Sequence, residues 1–473
     1  MSGDSHDKDA GVLSGDPGAA FMGKIGRTFA DSTPWWPIPA KPREGSPNVV
    51  VLFVDDLGFS DFGAFGAEVN TPNIDRLAAG GVRFSNYTTV PMCTPARAAL
   101  LTGKNPHSVG CGWITHADPG YPGYGGEISP DAPTFAELLR NSGYATMAIG
   151  KWHNTKEHNA CAAGNKSSWP VQRGFDRFYG FIASETSFFH PDCLYEGSQT
   201  VDIDTYPENY FATDDWTSRA IRWTKEHLGS GPLTPFLLYL AFNAPHAPIQ
   251  AKPEDIAKYK GRYDLGWDVL REQRWKKQIK LGILAENTKL PPRNPGIPAW
   301  ADLPKDKQEL YARHMEVYAA LIDNLDQNIG RYIDFLEKVG VLENTLIILT
   351  SDNGASAGGG DHGTVNGWNA RLGGEDSDTK LRELLDKGGF GGPETYATYP
   401  RGWAQVSNTP FRYFKRTPVN GGIRVPFIAH WPSVIKTRGG IQRQWIHTPS
   451  DPSIHRPFYL HCCFSSFKCG SLQ

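Results

Sequence analysis

Hydrophobic and polar residues follow one another in blocks along this chain. Residues 48–54 (Asn-Val-Val-Val-Leu-Phe-Val) form an almost unbroken β-branched and apolar run that stops at Asp55-Asp56. A short run of this kind predicts a strand buried on both faces, as in a parallel sheet. Residues 345–350 (Thr-Leu-Ile-Ile-Leu-Thr) repeat the pattern and stop at Ser351-Asp352-Asn353-Gly354. Shorter strands are predicted over 145–149, 235–241 and 425–429, with an extended stretch over 82–89. Apolar residues at helical spacing predict helices over 73–79, 96–101 and 134–142, and one long helix over 310–336. Residues 355–410 are glycine-rich and aperiodic and read as long loops over a site. Residues 1–45 read as a poorly ordered lead-in that ends in Trp35-Trp36-Pro37-Ile38-Pro39. No internal repeat is visible.

Strands alternating with helices predict an α/β fold, a large and mostly parallel central sheet flanked by helices. Ligands gather beyond the carboxyl ends of the strands in such sheets. Two buried strands here end in carboxylate or amide oxygens, so the pattern alone places a candidate site at that edge.

Composition narrows the class. At 473 residues the chain suits one large α/β domain or two moderate ones. Its 48 basic and 50 acidic residues nearly cancel, which argues against a nucleic-acid tail or a polybasic membrane patch. An anionic substrate would therefore be held by a local pocket. The seven cysteines show no CxxC or zinc-type spacing, so a dense disulfide framework is not expected. The first 31 residues lack the continuous apolar core of a secretory signal, and nothing approaches a transmembrane span. A cytoplasmic protein is the expectation.

The candidate chemistry centres on Cys93-Thr94-Pro95-Ala96-Arg97, between the extended stretch and a helix. A helix N-terminus has unpaired N–H groups and favours negative charge. Pro95 is tolerated in a first turn, and Arg97 adds a cation suited to a tetrahedral oxyanion. Read locally, this is either a buried cysteine at a helix start or an anion pocket containing a sulfur atom. Asp55, Asp56, Asp352 and Asn353 are hard oxygen ligands suited to Ca²⁺ or Mg²⁺, although either pair alone would equally serve as a cap or turn. Lys151 and His153, at i and i+2 after a strand, point the same way and can share an anion. His246 lies in Asn243-Ala244-Pro245-His246-Ala247-Pro248, a rigid setting for a positioned acid or base. Lys415 is a pocket cation that no local pattern demands.

Together these residues resemble the type I sulfatases of the alkaline phosphatase superfamily, closest to bacterial and fungal arylsulfatases. Their first signature is matched along Pro91-Met92-Cys93-Thr94-Pro95-Ala96-Arg97-Ala98-Ala99-Leu100-Leu101-Thr102-Gly103. The second is matched from Gly143 to His153. The resemblance spans about residues 46–447, read as the catalytic domain. It implies hydrolysis of sulfate esters, aryl sulfates favoured, to an alcohol or phenol and sulfate. It also implies that Cys93 is oxidised to Cα-formylglycine by a formylglycine-generating enzyme, and that Asp55, Asp56, Asp352 and Asn353 bind one divalent cation. Calcium is the usual ion in that family, with Mg²⁺ or Mn²⁺ as alternatives. The oxidised Cys93 would complete the shell, and a hydroxyl of its hydrate would attack sulfur to give a covalent sulfated intermediate. Arg97, Lys151, His153, His246 and Lys415 match the remaining pocket residues. His246 is the better candidate for the acid and His153 for the base, although the two roles can be exchanged.

The resemblance stops near Trp445-Ile446-His447, where such sulfatases continue into a small antiparallel C-terminal subdomain. Residues 448–473 read instead as an aberrant tail, with three of the seven cysteines in the last 12 positions. Two other readings stay open: a formylglycine-dependent phosphonate monoester or phosphodiester hydrolase, and an inactive truncated product.

Overall fold

The computed structural model describes residues 20–36, 40–231, 234–374, 376 and 378–448. Its strands are β1 (Asn48–Val54), β2 (Val82–Phe84), β3 (Tyr87–Thr88), β4 (Ala145–Lys151), β5 (Arg177–Phe181), β6 (Tyr195–Glu196), β7 (Gln199–Thr200), β8 (Phe236–Ala241), β9 (Thr345–Ser351), β10 (Phe427–His430), β11 (Gly440–Gln442) and β12 (Ile446–His447). Its helices are α1 (Pro72–Gly80), α2 (Cys93–Thr102), α3 (Phe135–Asn141), α4 (Ala212–Ser230), α5 (Pro253–Ala257), α6 (Gly266–Lys280), α7 (Lys305–Lys338), α8 (Gly367–Arg371), α9 (Asp378–Asp386), α10 (Arg401–Ser407) and α11 (Asn420–Ile423). Ten strands join one sheet in the order β11-β2-β10-β9-β1-β8-β4-β5-β6-β7. The middle five, β9-β1-β8-β4-β5, are parallel. β10 runs antiparallel beside β9 and β2, and β6 and β7 turn antiparallel beyond β5. This is the expected α/β architecture.

β1 is central, with Val50 opposite Leu238 on one side and Ile347 on the other. Because strand side chains alternate faces, its apolar run feeds two cores. Val50, Leu52 and Val54 face a core built with Trp216 and Trp223 of α4 and the buried stripe of α7. Val49, Val51 and Phe53 face another, with Ala98 and Leu101 of α2 and Ala136 and Leu139 of α3. Burying both faces is what makes the run continuous, each large side chain contributing on the order of 1.5–3 kcal/mol.

Some elements differ from expectation. The loops read over 355–410 contain α8, α9 and α10. α10 is buried and packs on α6, with Gly402 against the Trp267 ring. Glycine there permits close approach, so its helical role is hidden in a glycine-rich context. The extended stretch 82–89 divides into β2 and β3, and the strand expected over 425–429 lies at Phe427–His430, followed by the short β11 and β12. α4, α6 and β5 were not anticipated. In the lead-in, Lys24 bridges Thr33, while residues 1–19 lie outside the described residues. So do residues 449–473, the predicted aberrant tail, apart from Thr448. The described cysteines, Cys93, Cys111, Cys161 and Cys193, are unpaired. Among the described residues no helix is long and apolar enough to cross a membrane.

Candidate active site

The parallel strands deliver the polar residues to one edge. β1 runs into Asp55-Asp56, β9 into Asp352-Asn353, β4 ends on Lys151 just before His153, and β8 leads to His246. Backbone bonds stitch these ends together: Asp55 N–H donates to the Ala244 carbonyl and Asp352 N–H to the Val54 carbonyl, both at 3.1 Å. At Gly150 an added Cβ would lie 2.1 Å from the Ala241 carbonyl oxygen, and φ is +96°. Only glycine lets β4 approach β8 this closely at the point where Lys151 leaves the sheet. α2 brings Cys93 and Arg97 across the strand ends. Its alanine and leucine residues favour the helix, and Gly103 ends it at φ 64° with its N–H on the Ala99 carbonyl.

Asp56 (φ 61°) and His153 (φ 54°) adopt the left-handed backbone region. For such residues this costs roughly 1–3 kcal/mol each and concentrates at functional sites. Here it is held by hydrogen bonds: Asp56 N–H to Asp352 Oδ1 at 3.1 Å, and His153 N–H to the Ile182 carbonyl at 3.1 Å.

The side chains form one buried ionic cluster. Lys151 Nζ lies 2.6 Å from Asp55 Oδ2. Arg97 Nη2 lies 3.0 Å from Asp352 Oδ2 and 3.4 Å from Asp55 Oδ1, over the Phe53 ring. Lys415 Nζ lies 2.7 Å from Asp56 Oδ1 and 2.9 Å from Cys93 Sγ. Asn353 Nδ2 donates to Asp56 Oδ1 at 2.6 Å. His246 Nε2 is 3.6 Å from Asp56 Oδ2, while Nδ1 is 2.6 Å from the Ala247 carbonyl. The residues named from the sequence are thus linked in one cluster, except that the His153 side chain makes no hydrogen bond to it and feels it through the charges of Lys151 and Arg97.

The local charges set the protonation states. Burial would raise Asp55, but Lys151, His246 and Arg97 hold its carboxyl well below the ordinary range. Asp56 is likewise lowered against burial by Lys415 and His246. Asp352 is pushed up to about 7 by burial and by the Asp55 carboxylate beside it. His153 is driven well down by burial and by Lys151 and Arg97, and both its ring nitrogens are buried without a hydrogen-bond partner. His246 moves the other way: burial opposes its charge, but Asp55 and Asp56 raise it overall.

The residues present fit a hard divalent cation. Asp55 Oδ1 and Asn353 Oδ1 are buried oxygens without a hydrogen bond. The carboxylates of Asp55, Asp56 and Asp352 formally balance Arg97, Lys151 and Lys415, so a divalent ion would give the pocket the positive excess that an anion needs. Donor atoms of Asp55, Asp56, Cys93 and His246 all lie within 4.8 Å of one another. His246 was not among the ligands expected from sequence. Two further residues escaped that reading. Asn154 donates to the Thr94 carbonyl at 3.0 Å, pinning the start of α2, and Glu185 Oε2 stands 3.9 Å from His246 Nδ1. Adjacency to His153 was the available signal for Asn154; Glu185 had none.

Fold and site together fit the hydrolases of the alkaline phosphatase-like superfamily. The sequence model of the Sulfatase family matches residues 47–454, and the chain belongs to that family. It is 35% identical over 404 residues to an uncharacterized sulfatase of Schizosaccharomyces pombe, covering 82% of this chain and 71% of that one. It is 32% identical over 409 residues to an arylsulfatase of Klebsiella aerogenes, covering 83% and 82%. The crystal structure of Ps i-CgsB with k-i-k-neocarrahexaose shares the fold at a TM-score of 0.58 and 24% identity, over 89% of this chain and 72% of that one. The protein is a sulfuric ester hydrolase.

Proposed function

We propose that this hydrolase acts on aryl sulfates and uses formylglycine made from Cys93 by a formylglycine-generating enzyme. The observation that carries the reading is the setting of Cys93. Its Sγ sits at the start of α2, 2.9 Å from Lys415 Nζ and in reach of Asp55, Asp56 and His246. A thiol is a poor ligand for a hard cation such as calcium. A hydrated aldehyde at position 93 would supply two hydroxyls, one to attack the ester sulfur and one through which sulfate is later expelled. A divalent cation held by Asp55, Asp56, Asp352 and Asn353, calcium by preference, would supply positive charge and acidify the attacking hydroxyl.

The chain's own residues have the following roles. Arg97 faces the start of α2 and favours negative charge developing there. Lys151 and Lys415 hold sulfuryl oxygens as charge grows on them. His246, whose pKa is raised, presents Nε2 to the site and donates a proton to the departing phenol oxygen. His153, held neutral, accepts the proton released when sulfate leaves. The opposite shifts of the two imidazoles support this division of labour. The aryl preference is supported by similarity to the Klebsiella aerogenes arylsulfatase across most of its length.

The test is turnover of nitrophenyl sulfate, a sugar sulfate and bis-nitrophenyl phosphate, alongside the mass of the Cys93 peptide. Preferred turnover of nitrophenyl sulfate with an aldehyde at position 93 is expected. Preference for the phosphodiester would overturn the substrate assignment. Full activity with position 93 entirely a thiol would overturn the mechanism.

A further inference from the structure

We propose that the unconverted chain, with Cys93 still a thiol, is a zinc-binding protein in which Cys93 Sγ, His246 Nε2, Asp55 and Asp56 form a tetrahedral site for Zn²⁺ or a similar borderline metal. The proposal stands on donor geometry. Only its bearing on maturation rests on the formylglycine reading.

One donor atom from each of the four residues lies within 4.8 Å of the other three. A tetrahedral zinc shell with bonds of about 2.0–2.3 Å has donor–donor edges of roughly 3.3–3.8 Å, so small side-chain rotations close it. The edge between His246 Nε2 and Asp56 Oδ2 is already 3.6 Å. One sulfur, one imidazole and two carboxylates form a zinc set, whereas calcium prefers six to eight oxygens.

Three details orient the donors. His246 Nδ1 meets the Ala247 carbonyl at 2.6 Å, so the N–H belongs on Nδ1 and the lone pair on Nε2 faces the cluster. A backbone carbonyl on the distal nitrogen is a common orienting device for metal-bound histidine. Asp55 Oδ1 is buried and accepts no hydrogen bond, with the Arg97 guanidinium 3.4 Å away, so a lone pair is available. Asp352 lies outside this set of four donors, with Oδ2 accepting from Arg97 and Oδ1 from the Asp56 N–H.

Binding requires the Cys93 thiol to release its proton to solvent as the Zn–S bond forms, with no change in oxidation state. The Lys415 ammonium, now against both Cys93 Sγ and Asp56 Oδ1, must swing aside. Replacing sulfur with an aldehyde removes the soft donor, and the pocket's preference then moves to hard cations. The state of residue 93 would thus choose the metal.

The test uses the full chain with a Cys93 thiol verified by peptide mass. Cobalt(II) is titrated as a spectroscopic substitute, zinc is then added in competition with a chromophoric chelator, and alkylation of Cys93 by iodoacetamide is followed by mass. The expected result is a near-ultraviolet sulfur-to-cobalt band that zinc removes and calcium does not, with zinc slowing Cys93 alkylation. C93S and H246A should each weaken zinc by about tenfold or more, since even an outer partner of a metal ligand is worth that much. Circular dichroism checks that both variants fold. Cys161 and Cys193 are exposed thiols retained in C93S, so they control for adventitious binding. Absence of the sulfur–cobalt band, or equal zinc affinity in C93S and the parent chain, would overturn the proposal. The formylglycine reading fails by a different observation: sulfatase activity from material whose Cys93 peptide carries only the thiol.

Discussion

Lys151→Met removes one charge from the centre of the site and nearly preserves its volume, so its effect reports electrostatics rather than a cavity. Lys151 Nζ is 2.6 Å from Asp55 Oδ2, and both side chains are fully buried. At that distance and an effective dielectric of 20, the attraction is about 6 kcal/mol before desolvation. Breaking a buried pair by removing one partner costs about 3–5 kcal/mol, because the remaining carboxylate is stranded. Arg97 at 3.4 Å compensates Asp55 only in part. A chain of 473 residues has an unfolding entropy near Tm of about 1 kcal/mol per degree, so the loss should lower Tm by about 3–5 °C in chelator. Calcium at about 100 times its Kd stabilises a single-site protein by about 2.7 kcal/mol, or about 3 °C here. In K151M it should do more, because the ion also neutralises the stranded Asp55. Differential scanning calorimetry of both proteins, with chelator and with excess calcium, gives the four values required. The reasoning is refuted if K151M melts within about 1 °C of the parent in chelator, or if calcium raises both proteins equally.

Other outcomes follow from the same geometry. Cys93→Ala and Cys93→Ser should both abolish steady-state sulfatase turnover with unchanged circular dichroism, since alanine offers no nucleophile and a serine left as the alcohol has a single hydroxyl, through which sulfate cannot be expelled; multiple turnover at the parent rate by C93S whose peptide mass shows the alcohol would sink the hydrate mechanism. His246→Asn should slow esters of poorly acidic phenols far more than nitrophenyl sulfate, and a plot of log kcat against leaving-group pKa should steepen. Gly150→Ala should reduce the yield of folded protein sharply, because the new Cβ would lie 2.1 Å from the Ala241 carbonyl oxygen on a backbone with φ +96°; expression and thermal unfolding measure this. His314, buried edge-on to Phe390, is pushed down to about 3 by burial. The unfolded chain therefore binds the proton first, and stability is lost as pH falls from about 6.5 towards 3. His314→Gln should flatten that acid limb in urea titrations, and an unchanged slope would refute the assignment.

Much of the site was legible because parallel strands buried on both faces leave unbroken apolar runs, and the first polar residues after each run must lie at the sheet edge. Asp55, Asp56, Asp352 and Asn353 could be placed in this way, and Lys151 nearly so. α4 was also readable in principle, since Ala212, Trp216, Ala220 and Trp223 lie at helical spacing. Its charged intervening residues masked the stripe. α10 was not readable, because its burial depends on Gly402 fitting the Trp267 face, a tertiary fact with no local period. Lys415 lies 322 residues from the sulfur it touches, and no local pattern demanded it; the family resemblance gave it its place in the pocket. The ligand-like orientation of His246 depends on the Ala247 carbonyl and the Asp56 carboxylate, and neither contact leaves a trace in residue order.

The separation between Cys93 and Lys415 has a meaning in time. Cys93 is covered on one side by a lysine from a segment made 322 residues later. At synthesis rates of about 5–20 residues per second, that delay is roughly 15–65 s. During it Lys151, His246 and then β9 with Asp352 are made in turn, Asp56 lacks Lys415, and β10 has yet to join its side of the sheet. A growing chain therefore exposes its key cysteine on a schedule set by gene order, and anything that speeds completion of residues 345–430 shortens the interval in which residue 93 can be reached.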